Sequence, residues 1–153
     1  MQIGEAKFPR DCEVVAEMFR EYADSLDFDL GFQSFDEEIR SLPGAFAEPV
    51  GRVLLASDGR DLTGVVGLRP LDDTCCEMKR LFVRPEARAR GIGRGLALGI
   101  IAAGRNIGYS RMRLDTEAEM TAANALYQSL GFREIDAYCH NPLPNPRFYE
   151  LLL

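Results

Sequence analysis

The feature that most constrains this chain is a glycine- and arginine-rich turn between an apolar strand and a helix. It spans residues 88–95 and reads Arg-Ala-Arg-Gly-Ile-Gly-Arg-Gly. The amides of a helix's first turn have no partner within the helix, and together with the helix dipole they favour an anion. Glycine lets the backbone approach that anion closely, and arginine adds charge-assisted hydrogen bonds. The turn therefore predicts a site for a diphosphate-sized ligand.

Other uses of such a turn fit the sequence less well. A P-loop needs Gly-Lys-Ser/Thr after its glycines, which Gly93-Arg94-Gly95 does not supply. A dinucleotide-binding turn needs glycine or alanine where this chain has Leu96, although Asp115 lies at a suitable spacing for a ribose carboxylate. A nucleotide-dependent oxidoreductase is thus disfavoured, and a turn used only for close helix packing stays open.

The composition is that of an ordinary soluble globular protein. The 153 residues are 46% hydrophobic and 27% charged, without repeats or linkers, so we expect one domain over residues 1–153. The net charge of −6 argues against nucleic-acid binding, and the apolar runs are too short to span a membrane. The N-terminus does not read as a signal peptide and the four cysteines lack CxxC spacing, so we expect reduced thiols, no metal and a cytoplasmic location.

The apolar periodicities predict an α/β fold with a mixed, mostly antiparallel sheet. Strands are expected near residues 2–7, 51–57, 62–71, 75–84, 110–116, 132–138 and 147–152. Helices are expected near residues 10–22, from a Ser34–Glu37 capping box to Pro43, from the glycine turn to residue 107, and over residues 119–130. The order gives about six to seven strands and about four helices, which is not a repeating βα chain.

Two blocks of the sequence resemble the GNAT superfamily of N-acetyltransferases. Arg88-x-x-Gly91-x-Gly93 is similar to that family's Arg/Gln-x-x-Gly-x-Gly/Ala signature, and residues 78–85 before it resemble its central strand. Asn124–Phe132 resembles the second conserved block. The resemblance implies an enzyme that moves the acetyl group of acetyl-coenzyme A to a primary amine of a small molecule or peptide, by direct attack in a ternary complex.

The resemblance also assigns residues to the coenzyme. The amides of Arg90 to Gly95 would hold the pyrophosphate, and the backbone of Leu81 and Val83 would pair with the pantetheine arm like an added strand. Asn124 matches a position that often contacts pantetheine. The central strand of the family is splayed from its neighbour near this point, often by a bulge. The implied acetyl-coenzyme A site consists of Leu81, Phe82, Val83, Arg88, Ala89, Arg90, Gly91, Ile92, Gly93, Arg94, Gly95, Asn124 and Tyr127.

Two side chains match catalytic positions of the family. Tyr127 matches the tyrosine that protonates the departing thiolate, although it also lies on an apolar helical stripe typical of a core. Glu77 matches the glutamate that accepts the amine proton in some members, directly or through water, and a structural carboxylate is the alternative. A backbone amide near Leu81 would stabilise the oxyanion.

Aromatic and acidic side chains predict the acceptor site. Phe28 and Phe32 lie among the acidic residues of 24–38, which could receive a cationic amine or simply form a solvated face. Tyr138 and Tyr149, on or beside the closing strands, are further candidates. Those exposed strands could also pair across a homodimer. A non-catalytic acyl-coenzyme A sensor is the alternative to an enzyme.

Overall fold

A seven-stranded sheet with helices on both faces forms the fold in a computed structural model of the chain. The structure describes the backbone of residues 1–153 and the side chains of residues 1–31 and 34–153. The strands are β1 (Gln2–Glu5), β2 (Arg52–Asp58), β3 (Asp61–Pro70), β4 (Cys75–Val83), β5 (Arg111–Glu117), β6 (Arg133–Ile135) and β7 (Pro146–Leu152). The helices are α1 (Cys12–Asp24), α2 (Phe35–Arg40), α3 (Ile92–Ile107) and α4 (Thr121–Ser129). Short 3-10 turns lie at Leu30–Gln33, Gly44–Phe46 and Pro85–Ala87.

The strands follow the order β1-β2-β3-β4-β5-β7-β6, and only β4 and β5 pair in parallel. The prediction of a mixed, mostly antiparallel sheet is therefore confirmed. Short turns join the hairpins. Gly59 has a φ of +64° between β2 and β3, and the Asp72 carboxylate accepts the N–H groups of Thr74 and Cys75 at 2.8 Å before β4.

Some local features differ from the prediction. Ser34 does precede α2, but its backbone is left-handed (φ 55°) and its side chain caps no amide, because a capping serine needs an extended backbone. The capping box is therefore not formed. Strand β6 is confined to Arg133–Ile135, since it pairs with β7 only over these residues and the chain then leaves the sheet as the loop 136–145.

The two faces of the sheet bury separate apolar clusters. On one face α3 buries Leu96 and Ile100 against β2, β3 and β4. On the other face α1 buries Met18 and Phe19, with Phe46, against the same strands. The helical spacing that predicted α1 and α3 is thus explained by these contacts. No helix within the described part of the chain is both long and apolar enough to cross a bilayer.

The close approach of Phe46 to β3 gives a test of the second cluster. A Cβ added at Gly67 would lie 2.6 Å from Cε1 and 2.9 Å from Cδ1 of the Phe46 ring, which is 2% exposed. We expect Gly67→Ala to lower the free energy of unfolding by about 1–3 kcal/mol, because overpacking forces a buried ring to move. Gly4→Ala in β1 is the control, since nothing lies within 4 Å of its added Cβ. Equal urea midpoints for the two variants would contradict this packing.

Candidate functional site

Strands β4 and β5 separate part-way along their length. They pair only from Cys75–Arg111 to Glu77–Arg113, whereas β4 continues to Val83 and β5 to Glu117. Beyond Glu77 the register between β4 and β3 shifts at a bulge, where Arg80 has a φ of +62°. Such a backbone is uncommon outside glycine, and bulges often lie beside active sites. The edge of β4 that faces β5 therefore has no strand partner beyond Glu77.

This separation opens a cleft of about 660 Å³. Its walls come from β4, β5, the start of α4, the glycine turn and the segment after α1. We call the part lined by Arg88, Ala89, Gly91, Ile92 and Gly93 the glycine end. We call the part lined by Lys79, Arg80, Asp115 and Asn141 the polar end.

Free backbone amides mark the glycine end. The N–H groups of residues 89–94 donate to no protein acceptor among the described residues. Gly95 is the first to bond back, with its N–H 3.0 Å from the Gly91 carbonyl oxygen. Ala89 and Gly91 have positive φ values of 65° and 79°, and such alternation is typical of anion-binding concavities. The amides are therefore available to an anion, except that of Gly95, whose predicted phosphate contact is taken by the helix.

The arginines of the turn are all exposed, and each has a different partner. Arg88 lines the cleft and donates from Nε to the Val83 carbonyl oxygen at 3.1 Å. Arg90 reaches Asp58 at 3.3 Å, and Arg94 reaches the Ser129 hydroxyl at 3.0 Å. Exposed contacts of this kind are weak, so the guanidinium groups can exchange them for a bound anion.

Tyr127 combines a core position with a cleft position. Its ring packs against Phe132 and Tyr149, with centroid distances of 5.8 and 6.2 Å, and it also lines the cleft. Its hydroxyl has no hydrogen-bond partner in the described part of the chain. Burial, with smaller contributions from Tyr22 and Asp115, raises the pKa of the Tyr127 phenol above its ordinary value. The phenol is therefore protonated at neutral pH and able to donate a proton into the cleft.

Asn124 carries an unused hydrogen-bond acceptor. Its Nδ2 donates to the Glu117 carbonyl oxygen at 2.8 Å, which fixes the orientation of the amide. Its Oδ1 is buried and has no partner among the described residues, and Asn124 does not line the cleft. Buried polar atoms are nearly always satisfied, so this unpaired oxygen has hydrogen-bonding capacity that an N–H group of a ligand could use.

Comparisons with known proteins agree with this geometry. The profile of the Acetyltransferase (GNAT) family matches residues 13–132. The chain belongs to the GNAT acetyltransferase family. An uncharacterized N-acetyltransferase of Schizosaccharomyces pombe is 37% identical over 153 aligned positions, covering 99% of this chain and 94% of that protein.

Solved GNAT structures share the fold. An acetyltransferase from Streptococcus agalactiae superposes with a TM-score of 0.80 at 21% identity, covering 99% of this chain and 98% of that one. The yncA acetyltransferase from Salmonella typhimurium, solved with its cofactor acetyl-CoA, has a TM-score of 0.71 at 21% identity, covering 99% and 92%. Acetyl-coenzyme A is thus bound by proteins of this fold.

Glu77 lies apart from the cleft wall of this GNAT chain. It is 2% exposed and accepts hydrogen bonds from Arg69 Nε at 2.9 Å and from the Tyr138 hydroxyl at 2.6 Å. Burial, and next the Glu77 carboxylate, raises the pKa of the Tyr138 phenol, so Tyr138 stays protonated and donates. The structure brings these two predicted residues together, but neither lines the cleft.

Buried charges form the polar end, and the sequence prediction did not assign them to the site. The Lys79 ammonium is 3.2 Å from Asp115 Oδ1, with side chains 6% and 5% exposed. Asn141 Nδ2 donates to the other Asp115 oxygen at 3.2 Å. Arg80 donates to both carboxylate oxygens of Glu38, at 3.0 and 3.2 Å. Strand alternation could have found Lys79, since it lies two residues beyond Glu77 and therefore on the same face.

Of the remaining residues predicted to bind the acceptor, one lines the cleft and one lies in the core. Phe28 is half-buried and lines the cleft, as do Leu81, Phe82 and Val83 of the coenzyme prediction. Tyr149 is 1% exposed beneath Tyr127 and does not reach the cleft. The side chain of Phe32 lies outside the described residues.

The reactivity of the Cys139 thiol tests whether Cys139 contacts Asp115 of the polar end. Its Sγ is 3.8 Å from Asp115 Oδ2, and partial burial of the thiol first, then Asp115, raises its pKa to about 11, although the residue as a whole is exposed. At pH 8 on the order of 0.1% of such a thiol is thiolate, the reactive form. We expect Asp115→Asn to lower the thiol pKa and speed modification of Cys139 by dithiobis-nitrobenzoate about threefold or more. Cys139→Ser identifies the reacting thiol, and an unchanged rate in Asp115→Asn would argue against this contact.

Proposed function

We propose that this chain binds acetyl-coenzyme A in the cleft and transfers its acetyl group to a primary amine of a small molecule or peptide. One observation carries the proposal: the unpaired edge of β4, the turn whose amides at residues 89–94 are free, and Tyr127 meet at one cleft. A diphosphate, a strand-like amide chain and a reacting thioester need these features together.

The coenzyme would lie along β4. Its pyrophosphate would accept from the free amides of residues 89–94, with Arg88, Arg90 and Arg94 adding positive charge. The pantetheine amides would pair with the backbone of Leu81 and Val83, as an added strand does. The buried Oδ1 of Asn124 would accept a pantetheine N–H.

The transfer would be a direct attack within a ternary complex. The amine nitrogen attacks the thioester carbonyl carbon, and the charge on its oxygen is stabilised by a backbone amide of the bulge near Leu81. The C–S bond breaks, and coenzyme A leaves as a thiol with the proton of Tyr127. The amine nitrogen gives up one proton to a base, and solvent restores the proton of Tyr127.

Glu77 is the proposed base, and its contacts determine the route by which the amine proton would reach its carboxylate. Both carboxylate oxygens are occupied, one by Arg69 and the other by the Tyr138 hydroxyl at 2.6 Å. A proton leaving the amine would therefore pass through water and the Tyr138 hydroxyl. Tyr138 would donate its own proton to Glu77 and take up the proton from water.

We also propose a domain extent, a compartment and a dimer contact for this protein. Residues 1–153 would form one acyltransferase domain. All four cysteines are free thiols. This state suits a reducing compartment, so we propose the cytoplasm. The exposed strand β6 at the sheet edge would be the contact of a homodimer.

Replacing Tyr127 tests the proposed function. Tyr127→Phe removes the proton donor but keeps the ring contacts with Phe132 and Tyr149. We expect turnover, measured as thiol release across a panel of amines, to fall about tenfold or more with unchanged coenzyme A binding by calorimetry. Tight binding without thiol release from any amine in the wild type would instead favour a sensor. Unchanged turnover in Tyr127→Phe would remove its acid role.

The base is tested by the pH dependence of kcat/KM. If Glu77 takes the amine proton, Glu77→Gln loses the acidic limb of the profile, because glutamine cannot accept a proton. We expect Tyr138→Phe to lose the same limb, since it breaks the relay but keeps the ring against Phe148. An acidic limb that persists in Glu77→Gln would assign proton removal to solvent water alone.

A further inference from the structure

Lys79 is a buried cation with unused hydrogen-bonding capacity. An ammonium has three N–H donors. The side chain of Lys79 is 6% exposed, and its only acceptor among the described residues is Asp115 Oδ1 at 3.2 Å. Arg80 beside it, in contrast, meets both oxygens of Glu38. Lys79 therefore presents two N–H groups that protein atoms of the described residues do not take up, and it lies on the cleft wall.

Lys79 lies where an acceptor would approach the thioester. It lies two residues before Leu81 on β4, across the bulge at Arg80 from the backbone amide expected at the thioester carbonyl. It also lies beyond Glu77, the last residue of β4 that pairs with β5, so its ammonium enters the gap between the two strands. An acceptor that reaches the thioester from the polar end closes this ammonium off from solvent. Unless the acceptor bonds to the free N–H groups, binding leaves a buried cation unsatisfied.

The charges of the polar end fit a zwitterion. Lys79 and Asp115 form a buried pair of opposite sign on the cleft wall. An acceptor that carries only a positive charge would be repelled by the Lys79 ammonium. An acceptor that carries only a negative charge would be repelled by the Asp115 carboxylate. A molecule that carries an ammonium and a carboxylate can meet both residues with the opposite sign.

We propose that the acceptor is an amine that also carries a carboxylate, as an amino acid does, and that Lys79 binds this carboxylate while Asp115 attracts the amine. This inference rests on the proposed acetyl transfer, because it names the acceptor of the same site. The bound ammonium first loses one proton to water, and the neutral amine then attacks the thioester and gives up its second proton to the base as described above.

Matched acceptors test the inference in the wild-type protein. Thiol release at saturating acetyl-coenzyme A is measured with glycine, L-alanine, L-aspartate, L-phenylalanine, β-alanine and the carboxamide of each. Butylamine and spermidine serve as amines without a carboxylate. We expect at least one acid to exceed its own carboxamide in kcat/KM by about tenfold or more, because the site is built to bond the group that the carboxamide lacks. Equal kcat/KM within every pair, or a preference for butylamine or spermidine, would overturn the inference.

Variants of Lys79 assign the preference to its charge. Lys79→Met keeps the length of the side chain and removes the ammonium. We expect kcat/KM for the preferred acid to fall about tenfold or more, mainly through KM, and that for its carboxamide to change less than about threefold. Lys79→Arg should restore the preference for the acid. Arg111→Met in β5 is the control, since it removes a cation from the same face of the sheet but outside the cleft wall.

The two proposals fail in different ways. No thiol release from any acceptor by the wild type, despite coenzyme A binding, would contradict the acetyl transfer. If Lys79→Met still releases thiol and still prefers the acid over its carboxamide, the acetyl transfer is supported but the role of Lys79 is overturned. Calorimetry with acetyl-coenzyme A shows whether Lys79→Met is folded. If it is not, the comparison of each acid with its carboxamide in the wild type still decides whether the acceptor carries a carboxylate.

Discussion

The end of the parallel pairing between β4 and β5 is the constraint on which the rest of the structure depends. After Glu77 and Arg113 the two strands share no ladder, although β5 remains paired with β7 as far as Glu117. Leaving a strand edge without hydrogen bonds is costly in a protein interior. The bulge at Arg80 directs β4 away from β5, and the Arg80–Glu38 contact ties the bulge to α2. Helix α2 thereby helps to hold the cleft open.

Charged residues take the place of an apolar core on one side of this opening. Arg69 pairs with Glu77, and Lys79 pairs with Asp115, all on the sheet face that α1 and α2 cover further along. Burying ion pairs costs desolvation that their attraction often does not recover, so such a layer is a poor way to gain stability. Lys79 and Asp115 of this layer line the cleft, which suits the binding role proposed for them. Burial, and next the Glu77 carboxylate of this layer, raises the pKa of the Tyr138 phenol.

The parts of the site that depend on local backbone could be predicted from sequence, and the parts that depend on distant partners could not. The glycine turn could be predicted because strand, glycines and helix are contiguous, although the Gly95 N–H bonds to the Gly91 carbonyl oxygen and is not free as expected. The surroundings of Glu77 could not be foreseen, because Tyr138 lies 61 residues away and reaches it across the sheet. Tyr149 was a candidate for binding the acceptor, yet it lies in the core against Tyr127.

The glycine turn was easier to predict than the polar end because the two substrates would be bound by different kinds of groups. Backbone groups would hold the donor, namely the amides of residues 89–94 and the free edge of β4, and these depend on chain conformation more than on side-chain identity. Such a site leaves a compact pattern in the sequence, because a few glycines suffice to specify it. Side chains such as Lys79, Asp115 and Asn141 would hold the acceptor, and they come from separate segments that only the fold brings together. A substitution at the polar end can therefore change the acceptor while the donor site stays intact, which explains how one fold can serve many acceptors.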